Sequence, residues 1–228
     1  KKAERTMANE QTTPTPEGAV HRAPRETWFE FIAAAILGLA TLGSAWSGYQ
    51  SGRWGGIQDF RIAESLAAGR NAAENAIHAN QLRLIDVVSF ERYVSAVSEN
   101  NRQLSDFVVQ RFRPEFKPAF EAWVAMKPLK NPAAPSSPFF MKEYSLAPER
   151  EAQQLRQLEE KKIAEASNAN TISDTYLLLT VLFGVVLFLA GITAAFERRK
   201  LRMAVLSLSI VILAGASIAL ALLPLAKG

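Results

Sequence analysis

The chain has 228 residues, 49% of them hydrophobic and 21% charged, with 26 Lys plus Arg against 22 Asp plus Glu and a formal net charge of +4. It contains no cysteine and only two histidines, His21 and His78. This excludes disulfide frameworks, thiolate metal sites, iron–sulfur clusters and cysteine nucleophiles, and leaves almost nothing for a histidine-based zinc site.

The averages suit a soluble domain as well as a membrane protein, so the distribution along the chain decides. Residues 1–27 form a polar tail carrying Lys1, Lys2, Arg5, Arg22 and Arg25, read as a flexible cytoplasmic segment in which Met7 stands as an alternative start. From Phe31 to Tyr49 there is no Asp, Glu, Lys, Arg or His. Trp28 to Trp46 covers about 27 Å at a helical rise of roughly 1.5 Å per residue, against a hydrocarbon core of roughly 30 Å. This apolar stretch exceeds the roughly 7 to 15 residues of a secretory signal core, so residues 28–49 read as an uncleaved first transmembrane helix. Across and beyond it Ala40, Ser44, Gly48, Gly52 and Gly56 place a small residue at every fourth position. Such a stripe lets helices approach closely in lipid, and these five residues are the candidate packing interface.

Residues 50–174 are expected to form an ectodomain. No proline interrupts Ile57 to Phe112, and Leu66, Ile77, Leu84, Val87, Val88, Val94, Val97, Leu104, Phe107 and Val108 recur at threes and fours, which predicts a long helix. A second helix is expected to start around Pro148, where Glu149 and Glu151 suit a helix N-terminus, and to continue toward the next span. Both helices are rich in small residues near the membrane, which predicts an antiparallel pair. The lengths do not match, since about 84 Å of helix rises from Ile57 while residues 148–174 return only about 40 Å. Either a bend in the first helix or a cap resolves the difference. The proline-rich stretch 113–147, with a short helix around Pro118 to Met126, is predicted to fold back as that cap on Leu82 to Phe112. Its aromatic residues Phe116, Phe120, Trp123, Phe139, Phe140 and Tyr144 are the candidate partner-binding surface.

Two further charge-free stretches, Thr175–Phe196 and Met203–Ala226, predict the second and third transmembrane helices over 175–196 and 203–226. The basic turn 197–202 between them holds Arg198, Arg199, Lys200 and Arg202. Together with Arg22 and Arg25 these residues set the orientation, because Lys and Arg mark the cytoplasmic side. The N-terminus is then cytoplasmic and residues 50–174 are periplasmic or extracellular. Residues 47–174 hold 16 Lys plus Arg and 16 Asp plus Glu, a neutral balance that argues against nucleic acid as a partner. No ionisable residue lies in the middle of a span, which disfavours an ion-coupled transporter.

The runs Ala45-Trp46-Ser47-Gly48-Tyr49-Gln50 with Arg53-Trp54, Arg111-Phe112-Arg113-Pro114-Glu115-Phe116-Lys117-Pro118-Ala119-Phe120, and Lys130-Asn131-Pro132-Ala133-Ala134-Pro135 through Pro138-Phe139 resemble a group of uncharacterised bacterial membrane proteins, domain of unknown function 4337. The resemblance runs from about Trp28 onward. It implies one anchor, a helical region outside the membrane and a closing pair of spans, and it carries over no reaction and no catalytic residue.

The fold class expected is therefore all-α integral membrane, with three transmembrane helices and a long helical-hairpin ectodomain between the first and second. No Walker loop, G-x-G-x-x-G, G-x-S-x-G or H-E-x-x-H occurs, so no catalytic residue, cofactor or metal is assigned and an enzyme is not expected. The reading is a self-associating inner-membrane structural or partner-binding protein, with membrane lipid, further copies of itself and a membrane or periplasmic protein as partners. The alternative is an oligomeric passive channel with the ectodomain as vestibule or gate, its lumen lined by residues such as Thr41, Ser44, Thr180 and Ser209.

Overall fold

A computed structural model describes residues 24–128, 130–196 and 198–226, with the side chains of residues 24–27 and Ala194 outside that description. The described residues are helical with no strand: α1 (Pro24–Ser98), α2 (Arg102–Gln110), α3 (Lys117–Ala125), α4 (Ala147–Ile192) and α5 (Arg199–Leu222), plus single 3-10 turns at Pro138–Phe140 and Thr193–Ala195. Three of them, α1, α4 and α5, are long and apolar enough to cross a membrane.

The long helices follow from where proline is missing. Pro24 stands at the start of α1, where its absent N–H costs nothing, and no proline follows until Pro114. Within α4 the sole proline, Pro148, again sits in the first turn, beside Glu149 at the positive end of the helix dipole. Because α4 runs unbroken to Ile192, the expected second helix and second span are one element.

The helix predicted to continue to Phe112 stops instead at Ser98. Asn100 takes a left-handed conformation with φ 55°, which Asn tolerates better than most residues. Asn101 then caps α2, its side chain accepting from the Leu104 N–H at 3.0 Å. Helix propensity alone gives no such stop, whereas the Asn100-Asn101 pair offers the backbone a local alternative. The expected basic loop at 197–202 is also shorter than predicted, because α5 already begins at Arg199.

The described residues form two compact units. The first comprises the chain through Ala45 with Leu179–Ala221. In it Ile36 and Ala40 of α1, Phe183, Val186 and Ala190 of α4, and Leu206, Ser209 and Ala216 of α5 are buried. Large side chains such as Phe31, Leu42, Val181, Phe188, Val211 and Ile218 face outward, the distribution expected where the surroundings are hydrocarbon rather than water.

The second unit comprises Trp46–Leu178 with the residues from Leu222 on. Here α1 and α4 pair antiparallel, since Ser51 meets Ser173, Arg61 meets Glu165, Ser65 meets the Glu159 carbonyl and Arg83 meets Glu149 as one helix ascends and the other descends. The seam is made of small side chains: Ser65, Ala68, Ala72 and Ala79 on α1, with Ala152, Ala166 and Ala169 on α4, are all buried. Their alternating three- and four-residue spacing keeps one face of each helix on its partner, and small side chains draw the backbones together.

Candidate functional site

In the first unit, Ala40 is fully buried and Ser44 is half-buried. A close approach involves a residue outside the predicted stripe. A Cβ placed on Gly43 would lie 2.6 Å from the Phe183 ring, so any larger residue there forces that ring to shift. Of the hydroxyls considered for a lumen, two are satisfied within their own helices, Thr41 donating to the Leu37 carbonyl at 2.7 Å and Ser209 to the Val205 carbonyl at 2.9 Å. Of the residues assigned to orientation, Arg198, Arg199 and Lys200 are exposed, and the Arg199 and Arg202 guanidinium carbons lie 6.0 and 5.5 Å from the centre of the Phe29 ring. Arg22 and the side chain of Arg25 fall outside the described residues.

In the second unit Gly48, Gly52 and Gly56 are exposed, and a Cβ on Gly52 or Gly56 would meet nothing within 4 Å. Intramolecular packing uses the adjacent face, where Ser47 and Gln50 are buried. Gln50 Oε1 accepts from the Ala226 N–H at 3.2 Å, and the Pro224 carbonyl accepts from Trp54 Nε1 at 3.1 Å and from the Tyr176 hydroxyl at 3.2 Å. Farther along α1, on the side turned away from the seam, Ile77, Leu84, Ile85 and Val88 are about half exposed or more. The open glycines and this apolar stretch share a side of one helix, because their spacing returns to a similar angle at 3.6 residues per turn.

Charged side chains bind the pair near its small-residue end. Arg61 bridges Glu64 at 2.8 Å and Glu165 at 3.1 Å, and Lys162 bridges the same two carboxylates at 3.0 and 3.4 Å, closing a ring of alternating charge. Hydrogen bonds from Arg61 and then Lys162 hold the Glu64 carboxyl below the usual carboxylate range. These side chains are partly exposed, so the ring fixes register more than it adds stability.

The cap is a dense aromatic cluster. Phe112, Phe116, Phe120 and Trp123 are its buried centre, with Phe90 and Tyr93 of α1, Val108 and Val109 of α2, and Phe139, Met141 and Tyr144 packed around them. The rings meet mostly edge to face, as at Phe90–Trp123 (5.2 Å) and Tyr93–Phe120 (4.8 Å), a geometry that sets ring edges against the negative faces of their neighbours. Trp123 Nε1 donates to the Pro135 carbonyl at 2.7 Å, tying the proline-rich stretch to α3. Of the six aromatics singled out as a partner-binding surface, Phe116, Phe120 and Trp123 are thus core, Phe139 and Tyr144 are half-buried, and Phe140 presents its ring to solvent at 74% exposure. Aromatic content marks the cluster, but only the backbone path decides which way each ring turns.

A polar anchor, absent from the sequence reading, lies under this cluster. The Asp86 side chain is 1% exposed, and its Oδ2 accepts from Arg113 Nη1 at 3.0 Å and from the Tyr144 hydroxyl at 3.0 Å. Arg113 also bridges the more exposed Glu115 at 3.0 Å. Burial pushes the Asp86 carboxyl up, against the opposing pull of Arg113 and Tyr144. Burial, then the charge and hydrogen bond of Asp86, pushes the Tyr144 phenol up, so it donates throughout the ordinary pH range. One carboxylate on α1 thereby holds both ends of the cap.

Among the described residues no cluster of His, Asp or Glu could hold a metal ion, and His78 stands exposed on the α1 surface. No protein-family model, curated protein or solved structure compared with this chain matches it.

Proposed function

We propose that this chain is a non-enzymatic membrane protein that self-associates through the open side of α1 and presents a helical-hairpin ectodomain with an aromatic cap for structural or partner-binding work. The expected setting is a bacterial inner membrane, with the N-terminus cytoplasmic and residues 50–174 on the opposite side. The likeness to domain of unknown function 4337 agrees with this setting and rests on the sequence motifs quoted above.

One observation carries the reading: the unoccupied side of α1, where glycines with open space around them are followed by Ile77, Leu84, Ile85 and Val88. Small residues let a second helix approach closely. Outside lipid, covering half-exposed Ile, Leu and Val side chains contributes roughly 1 kcal/mol each. The seam toward α4 is already filled, so a further copy of the chain has this side left to occupy. The neutral charge balance of residues 47–174 lets like copies approach without strong repulsion.

The test is native mass measurement of the full chain in lipid, comparing wild type with Gly52→Leu and Leu84→Glu. Neither site lies on the α4 seam, so each variant should keep its helical signal while its oligomer dissociates at lower dilution. Oligomers unchanged in both variants would remove this face as the interface.

A further inference from the structure

A cavity of about 480 Å³ opens on the cap, walled by Val94 and Val97 of α1, Val124 of α3 and the rings of Tyr93 and Trp123. Among the described residues its remaining lining includes Lys127 and Lys130 and no acidic residue. We propose that it is a binding site for a small molecule with an apolar, aromatic-sized body and one carboxylate or comparable anionic group.

Five features carry this. The volume falls within the roughly 300–1,000 Å³ typical of small-molecule sites, and the walls have the apolar lining with few polar groups that such sites show. Lys127 and Lys130 are exposed and pair with no acid among the described residues, so an anion seated against the valines would meet two uncommitted cations. Lys127 also occupies a left-handed position, φ 53°, just past the end of α3, where its N–H donates to the Val124 carbonyl at 2.9 Å. Glycine is the usual residue there because a side chain strains that conformation. A lysine held at such a position beside a cavity fits a side chain kept for contact rather than for turning the chain. The Lys127 carbonyl accepts from the N–H groups of Lys130 at 2.8 Å and Asn131 at 3.0 Å, which ties the two lysine positions together. The Tyr93 hydroxyl has no hydrogen bond among the described residues, and burial followed by the nearby Asp106 pushes its phenol up, leaving a proton to donate. The site does not depend on self-association.

The experiment uses the full chain labelled with 5-fluorotryptophan in phosphatidylcholine nanodiscs. The Trp123 fluorine signal is the one missing from Trp123→Phe. Titration with 4-phenylbutyrate should shift that signal saturably, and 4-phenyl-1-butanol, which lacks the charge, should bind at least tenfold more weakly. The double variant Lys127→Gly with Lys130→Gln keeps a residue suited to the left-handed turn. It should weaken phenylbutyrate binding about tenfold while leaving the alcohol unchanged. An unmoved Trp123 signal, equal affinity for acid and alcohol, or a double variant that binds the acid as tightly as wild type would each overturn the proposal. A Trp123 shift on exchanging phosphatidylcholine for phosphatidylglycerol, without phenylbutyrate, would also overturn it by making lipid the occupant.

Discussion

Replacing Arg113 with Met removes the charge that faces Asp86 while keeping a side chain long enough to cover it. The Asp86 carboxyl is 1% exposed and would retain a single donor, the Tyr144 hydroxyl. Breaking a buried ion pair from one side typically costs about 3–5 kcal/mol. Arg113 is itself 19% exposed and shared with Glu115, so about 2–4 kcal/mol is expected here. The cost must depend on pH in a definite direction. The folded-state pKa of Asp86 is already raised, so its protonated form is favoured by folding. That contribution is fully present below the unfolded value near 4 and is lost as pH rises through the folded value. Without Arg113 the folded value rises further, so Arg113→Met should be nearly as stable as wild type at pH 4 and carry its full penalty at pH 8. Adding Asp86→Leu should restore most of the loss, because no unpaired charge is then buried. Unfolding of the cap, followed by tryptophan fluorescence or by hydrogen exchange across residues 82–98 and 113–146, measures this. A penalty under 1 kcal/mol at pH 8, or one of equal size at pH 4 and pH 8, would refute the anchoring role of Asp86.

Three further outcomes follow from single sites. Gly43→Val drives a methyl group into the Phe183 ring and should destabilise the chain by about 1–3 kcal/mol, with Phe183→Leu recovering part of it; additive losses in thermal unfolding would deny the contact. Lys127→Gly relieves a left-handed lysine and should raise stability by about 1 kcal/mol, so a loss in thermal unfolding would show that the turn carries no strain. A cysteine at Ser136, in a chain that has none of its own, should react with an impermeant maleimide added on the side opposite the N-terminus; labelling only from the cytoplasmic face would invert the topology.

The long helices were legible because their signals are additive along the chain. Charge-free runs near twenty residues and the scarcity of proline announce α1, α4 and α5 without tertiary information. The small-residue faces of Ala68, Ala72, Ala166 and Ala169 likewise pointed to an antiparallel pair. The stop at Ser98 was less legible, since it depends on Asn100 accepting a left-handed conformation that competes with a favourable helix by a small margin. Gly43 was hidden for another reason: periodicity picks the most regular small-residue stripe, whereas contact depends on where Phe183 falls on a different helix. Asp86, Arg113 and Tyr144 are far apart in sequence and share no motif, so their meeting appears only once the proline-rich stretch has turned back. The same turn converts Phe116, Phe120 and Trp123 from candidate contact residues into core and leaves Lys127 and Lys130 beside the cavity.

Self-association through the open side of α1 is tested most directly by the mass of the assembly extracted from its native membrane in lipid, without detergent exchange. The expected result is a discrete multiple of the single-chain mass that cross-links through cysteines introduced at Gly52 or Leu84. A species of single-chain mass at every concentration measured, with no cross-link at either position, would contradict it.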